Sequence, residues 1–148
     1  MEIIEVISLI ASVTAVALSV ATFIVNWIRQ RKINTIAAYI ELQKSLSLLS
    51  KYRDDELKDR TKNRSSEDYK NLSACLAGIE IFATGVKEKV YDFKLVYPLA
   101  HGYLDGALRT KINYLIDIKN PKDDKKYYLS TIWLLKEMDK RSDLAEQA

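Results

Sequence analysis

The sequence predicts an all-α protein: one N-terminal transmembrane helix continuing into a cytoplasmic bundle of about four or five helices. Three observations carry this expectation. Val6 to Ile28 contains no charged residue. Beyond it, apolar residues recur at helical spacing rather than in alternation. Neither an Asn-Gly hairpin turn nor an internal repeat occurs anywhere in the chain.

The uncharged stretch would form a helix of about 35 Å, enough to cross a hydrocarbon core of about 30 Å. Its flanks are one-sided. Glu2 and Glu5 precede it, Arg29, Arg31 and Lys32 follow it, and all 23 basic residues lie after Ile28. Trp27 stands at the basic end, where an indole and cations mark the membrane interface. A signal peptide would need a basic start and a shorter apolar core. Here the start is acidic, and Phe23 to Ile28 continues past the cleavable-looking Ser19-Val20-Ala21. A soluble core helix would need apolar partners on every side, and the amphipathic remainder does not offer them. Because Lys and Arg stay on the cytoplasmic side, residues 1–5 are expected outside and the rest inside, in a single pass through a cell inner membrane.

One side of the span carries small and polar residues: Ser8, Ser12, Ala15, Ser19, Thr22 and Asn26. At 100° per residue they fall within about 40° of a common direction. Ile33 and Ile40 extend that register past the membrane. Small and hydroxyl side chains let helices approach closely in lipid, so this stripe predicts a parallel homo-oligomer continued as a short coiled coil. The competing use of Ser and Thr is hydrogen bonding to their own backbone.

Residues 29–52 contain no Pro or Gly and are expected to prolong the span as a juxtamembrane helix, with Ile33, Ile36, Ile40 and Leu46 recurring near helical spacing. Residues 53–66 form a charged connection. Nine charges among residues 53–64, five basic and four acidic, predict a solvated helix end or exposed loop. The helical cytoplasmic domain is then residues 67–140. Ser65 or Ser66 can cap its first helix, with Asp68 completing a capping box with Ser65. Leu72, Cys75, Leu76, Ile79, Phe82, Ala83 and Val86 supply the core face, and Gly85 marks the end. Asp92 can cap a short helix that breaks or kinks before Pro98. Residues 99–118 read as one helix with Leu104, Leu108, Ile112, Leu115 and Ile116 inward, and Gly102 and Gly106 would admit a neighbouring backbone. Asn120-Pro121 stops it. A last helix over 123–140 turns Tyr128, Ile132, Leu135 and Met138 inward, and residues 141–148 form a fraying tail.

Chemistry is sparse. The only histidine, His101, cannot build a multi-histidine metal site. The preceding arginine is Arg64, too distant for the Arg-then-His signature of HEPN-type ribonucleases. No GxxxxGK[ST], GxGxxG or HExxH occurs. Cys75, the only cysteine, rules out an internal disulfide. Glu80 lies at the edge of an apolar face and calls for an ion pair with Arg109, Lys111 or Lys87, or a capping role. Since Glu2 and Glu5 precede the span, the cytoplasmic part carries a net charge of +5 rather than +3. That mild, interspersed excess suits an anionic leaflet and not nucleic acid. No cofactor and no metal are expected.

The segment EIFATGVKEKVYD, Glu80 to Asp92, resembles a family of uncharacterised bacterial membrane proteins with one N-terminal span, a basic flank and a small helical cytoplasmic domain. The family pattern runs Glu, apolar positions, Gly-Val or Gly-Ile, then an apolar residue and Tyr-Asp; Glu80, Ala83, Gly85, Val86, Val90, Tyr91 and Asp92 match it. RKINTIAAYIELQKS and YPLAHGYLDGAL are also similar. Pro98 and the Lys-rich 122–126 stretch depart from it. The resemblance covers most of the chain and implies architecture without catalytic residues. The expected function is therefore a membrane-anchored helical interaction or regulatory module, not an enzyme, that self-associates through its span and binds an unknown protein partner. The alternatives are a membrane-acting effector of phage defence or prophage exclusion, and a hydrolase or nuclease centred on Glu80 and His101.

Overall fold

The computed structural model describes residues 2–121 and 126–146. Among these residues the regular structure is entirely helical. The first helix, α1, runs without interruption over Glu2–Ser50, 49 residues, or about 74 Å at 1.5 Å per residue. Nothing within it stops a helix, as expected. From residue 3 to residue 30 every side chain is exposed; burial begins at Arg31. The helix therefore has a bare apolar half and a half built into the domain.

The stripe that faces the domain is not the isoleucine one, and Ile33 and Ile40 stay on the side of the span's small-residue stripe. Thr35, Tyr39, Leu42, Leu46 and Leu49 are buried, whereas Ile33, Ile36 and Ile40 are exposed. Of the four apolar residues expected at helical spacing, only Leu46 points inward. Helical spacing permits either set, because the two lie more than about 100° apart around the axis. Polar anchoring selects between them: Thr35 and Tyr39 find backbone partners in the domain, and isoleucine has no such bond to offer.

After α1, residues 53–64 are neither a bare helix end nor a loop. Asp54–Arg60 forms α2, with Asp54, Asp55 and Glu56 in its first turn and Lys58 and Arg60 in its last. That order complements the helix dipole. Leu57, the one aliphatic residue of the run, is buried and pins the segment to the core. The third helix, α3, spans Glu67–Lys87, and Ser66 caps it by accepting from the Tyr69 N–H at 3.1 Å. Asp68 does not complete a capping box. It accepts instead from Arg60 at 3.0 Å and from the Tyr52 hydroxyl at 3.1 Å, tying the start of α3 to the end of α1.

The core face of α3 is the expected one: Leu72, Cys75, Leu76, Ile79, Phe82, Ala83 and Val86 are all buried. This helix is the centre of the domain, packed on α1 along one side and on the last helix along the other. Gly78 permits the approach to α1, since a Cβ there would stand 3.0 Å from Ser45 Oγ. Gly85 does not make the turn expected of it. It lies inside the helix, and a Cβ would overlap the Tyr91 ring. The turn itself is made by Lys89, at φ 60°, with the Val90 and Tyr91 N–H groups both donating to the Gly85 carbonyl at 2.9 and 3.0 Å.

Asp92 caps α4, Phe93–His101, by accepting from the Lys94 N–H at 3.0 Å. The helix continues through Pro98 without breaking. Buried Val96 and Ala100 hold it against the core on both sides of the proline. The irregularity falls one turn later: Gly102–Ala107 is a π-helical segment, closed by the Leu108 N–H donating to the Tyr103 carbonyl at 3.0 Å. The expected single helix over 99–118 is thus the end of α4, the π-helical segment, and α5 (Arg109–Lys119). Gly102 and Gly106 face open space, so no backbone approaches them. Leu104, Leu108, Ile112, Leu115 and Ile116 are buried as expected.

Asn120 ends α5 and ties down the chain on its far side. Its side chain donates to the Ile116 carbonyl at 2.9 Å, and its Oδ1 accepts from the Lys126 and Tyr127 N–H groups at 3.1 Å each. The last helix, α6, is Leu129–Glu146; the expected start at Asp123 lies outside the described residues, as do 122–125 of the Lys-rich stretch. Leu134, Leu135 and Met138 are buried, while Tyr128 and Ile132 are only partly so. The helix does not fray at Arg141. It continues to Glu146, with the Arg141 guanidinium 4.8 Å from the Tyr97 ring centre and 5.8 Å from that of Phe93.

Candidate functional site: the junction where α1 meets the domain

The motif from Glu80 to Asp92 and the basic flank of the span converge on one junction. Arg31 donates from Nη2 to the Tyr91 carbonyl at 3.0 Å, and its guanidinium lies 5.6 Å from the centre of the Trp27 ring. One turn on, fully buried Thr35 donates to the Arg31 carbonyl at 2.7 Å and accepts from the Asp92 N–H at 2.8 Å. One further turn on, the Tyr39 hydroxyl donates to the Leu99 carbonyl in α4. Tyr91 also stacks on Phe82, ring centres 5.6 Å apart. The left-handed turn at Lys89 is thus clamped between α1 and α3.

These contacts assign the motif residues. Ala83 and Val86 are core, Gly85 makes room for Tyr91, and Asp92 is a helix cap. Arg31, which the sequence assigned to a membrane interface, bonds the domain through Tyr91. Trp27, Arg29 and Lys32 remain exposed on α1. Thr35, Tyr39 and Lys89 do not stand out in the sequence. The i, i+4, i+8 series Arg31–Thr35–Tyr39 is the signal that marks the first two: polar groups at one-turn intervals, on the side away from the isoleucines.

Glu80 is not paired with Arg109, Lys111 or Lys87. Its carboxylate caps α6 from a different helix, accepting from the Ser130 N–H at 3.0 Å, the Thr131 N–H at 2.8 Å and the Thr131 hydroxyl at 2.7 Å. A negative group there satisfies two orphan donors and complements the helix dipole. Arg109 joins Asp105 at 2.6 Å and Asp139 at 2.9 Å. His101 packs on Tyr97, ring centres 4.9 Å apart, and its Nε2 lies 3.1 Å from Asp105 Oδ2 but off the line a hydrogen bond needs. Glu80 and His101 therefore share no partner. Cys75 donates to the Ser45 carbonyl at 2.9 Å, and burial pushes its thiol up to about 11, far from a reactive thiolate. Among the described residues no cluster of three or more His, Cys, Asp or Glu is arranged around a common point for a metal ion.

Along the bare half of α1, Ser12 donates to the Ser8 carbonyl at 2.9 Å and Ser19 to the Ala15 carbonyl at 2.8 Å. The stripe from Ser8 through Ala15, Thr22 and Asn26 keeps its small profile with these hydroxyls satisfied internally.

Fold and site together define an all-helical protein whose single long N-terminal helix is apolar enough to cross a membrane. Compared with protein-family models, curated proteins and solved structures, the chain matches none.

Proposed function

We propose that the protein is a single-pass, inner-membrane-anchored interaction or regulatory module that assembles with copies of itself through α1. The observation carrying this reading is the division of α1 into two faces. The inner face, Thr35 to Leu49, is filled by the domain. The outer face carries Ser8, Ser12, Ala15, Ser19, Thr22 and Asn26, then Ile33, Ile36 and Ile40, all exposed and all on the side turned away from the domain. A second α1 in parallel register meets small residues in lipid and isoleucines beyond it. Each such membrane contact contributes about 0.6–2 kcal/mol, so several are needed to hold a pair. The basic flank after Trp27 favours a cytoplasmic domain.

Ser19→Cys and Ala17→Cys in membranes of expressing cells separate this from a monomeric anchor. Disulfide dimers at position 19 and not at position 17 are expected. Equal crosslinking at both, or none, would refute the pairing. Proteolysis of sealed inverted vesicles reads the orientation: the domain should be degraded from the former cytoplasmic side.

A further inference from the structure

Beside the junction lies an open surface cleft of about 300 Å³ lined by Trp27, Gln30, Arg31, Asn34, Glu88 and Lys89. Its depth in a bilayer is set by helix geometry. Arg31 stands about 4.5 Å beyond Ile28 along the axis and Asn34 about 9 Å. A headgroup layer is about 5–7 Å thick on each side of the hydrocarbon. The cleft therefore opens at phosphate level if α1 spans.

Its donors fit a phosphate. Arg31 lines the cleft, with Nη2 of its guanidinium engaged by the Tyr91 carbonyl. The guanidinium is held in place by that bond and by Trp27, so its charge is fixed at the cleft. Gln30 donates to Asn34 Oδ1 at 2.9 Å, which leaves the Asn34 amide N–H groups available. Lys89 brings a second cation and holds a left-handed conformation that costs a non-glycine residue about 1–2 kcal/mol. Val90, next to it and 53% exposed, offers an apolar contact at the same level. Glu88 is the one carboxylate in the lining, exposed and outnumbered by the two cations. Arg29, Lys32 and Lys87 lie nearby in sequence and add to the positive field.

We infer that this cleft binds the phosphodiester of an anionic phospholipid in the leaflet from which α1 emerges, with Arg31 and Lys89 as its cationic ligands and Asn34 as a neutral donor. The lipid would then fix the height and rotation of the domain against the membrane surface. The inference rests on α1 spanning a bilayer.

The test uses the full chain in mild detergent with Trp133→Phe, so that Trp27 fluorescence reports on the cleft. Dioctanoyl phosphatidylglycerol should give a saturable change and bind about tenfold tighter than dioctanoyl phosphatidylcholine. Lys89→Gln should weaken it about fivefold, from about 1 kcal/mol per surface cation, and Glu88→Gln should tighten it. Arg31→Gln also removes the Tyr91 bond, so Lys89→Gln and Glu88→Gln, which disturb no hydrogen bond of the fold, carry the decision. Equal affinity for the two lipids, or indifference to both substitutions, overturns the site. Inorganic phosphate binding as tightly as phosphatidylglycerol would make free phosphate the ligand and overturn the lipid. Carbonate-washed membranes separate the two failures: a chain that washes off loses both span and site, whereas a chain that stays with a flat titration loses the site alone.

Discussion

The two halves of α1 share one backbone helix and obey opposite rules. From residue 3 to 30 every side chain is exposed, apolar residues surround the axis, and serine hydroxyls turn back on their own carbonyls. From Arg31 to Ser50 the helix is amphipathic, and its inner polar groups bond to other elements: Arg31 to Tyr91, Thr35 to Asp92, Tyr39 to Leu99. A helix in lipid must satisfy its backbone polar groups within itself. A helix in a domain can use its polar side chains to position its neighbours. The change occurs within one turn, around Trp27 to Arg31, and the α3–α4 turn docks at that boundary.

Charges placed in each half should break the contrast most sharply. Val13→Arg with Val16→Arg costs about 5–7 kcal/mol of insertion, at about 2.5–3.5 kcal/mol per arginine at the centre of a span. The doubly substituted chain should leave the carbonate-resistant membrane fraction while circular dichroism still reports a helical domain. Leu49→Asp does the reverse. It buries an unpaired charge at a fully enclosed position, a loss of about 4 kcal/mol or more, so the chain should stay in the membrane with its domain open to protease.

Smaller changes sharpen the domain side. Glu80→Ala strips α6 of its cap and leaves the fully buried Thr131 N–H and hydroxyl without a partner. A loss of about 2–3 kcal/mol is expected in denaturant titration, and Glu80→Gln should recover part of it. Thr35→Val keeps the shape and orphans the Asp92 N–H, for about 1–2 kcal/mol. Faster hydrogen exchange at Asp92 and Phe93, with residues 3–30 unaffected, would locate the damage at the junction.

A last effect, with no substitution, is read at Cys75. Its raised folded-state value means that the unfolded chain gives up the thiol proton first as pH rises. The thiol's contribution to stability is therefore intact below about pH 9 and is lost as pH climbs toward about 11. At pH 8 the native thiol should react with a disulfide reagent far more slowly than the same thiol in denaturant.

Whether a residue's role is legible in the sequence depends on whether that role is local. The all-helical class, the continuity of α1, the Ser66 and Asp92 caps, the core face of α3 and the stop at Asn120 all rest on spacing, caps and breakers within a few residues. The inner face of α1 does not. Ile33, Ile36 and Ile40 form as good an apolar stripe as Leu42, Leu46 and Leu49, and only the partners waiting for Thr35 and Tyr39 decide between them. Glu80 is readable as a carboxylate in need of a partner, but its partner is the backbone of a helix 50 residues on. Pro98 reads as a break because the proline rule is local; in the fold the helix runs through it with Val96 and Ala100 buried, and the irregular segment starts at Gly102.

What the sequence determined alone is a periodicity and a composition: which stretches are helical, and that one of them is uncharged and largely apolar over a length that could cross a membrane. Tertiary structure decided which face of each amphipathic helix turns inward, which carboxylate caps which helix, and that the left-handed turn at Lys89 closes onto Arg31. Periodicity is a property of neighbours in the chain and survives in any context. The pairing of Arg31 with Tyr91, Thr35 with Asp92 and Glu80 with Thr131 spans about 50–60 residues, and exists only once packing has brought those groups within hydrogen-bond reach.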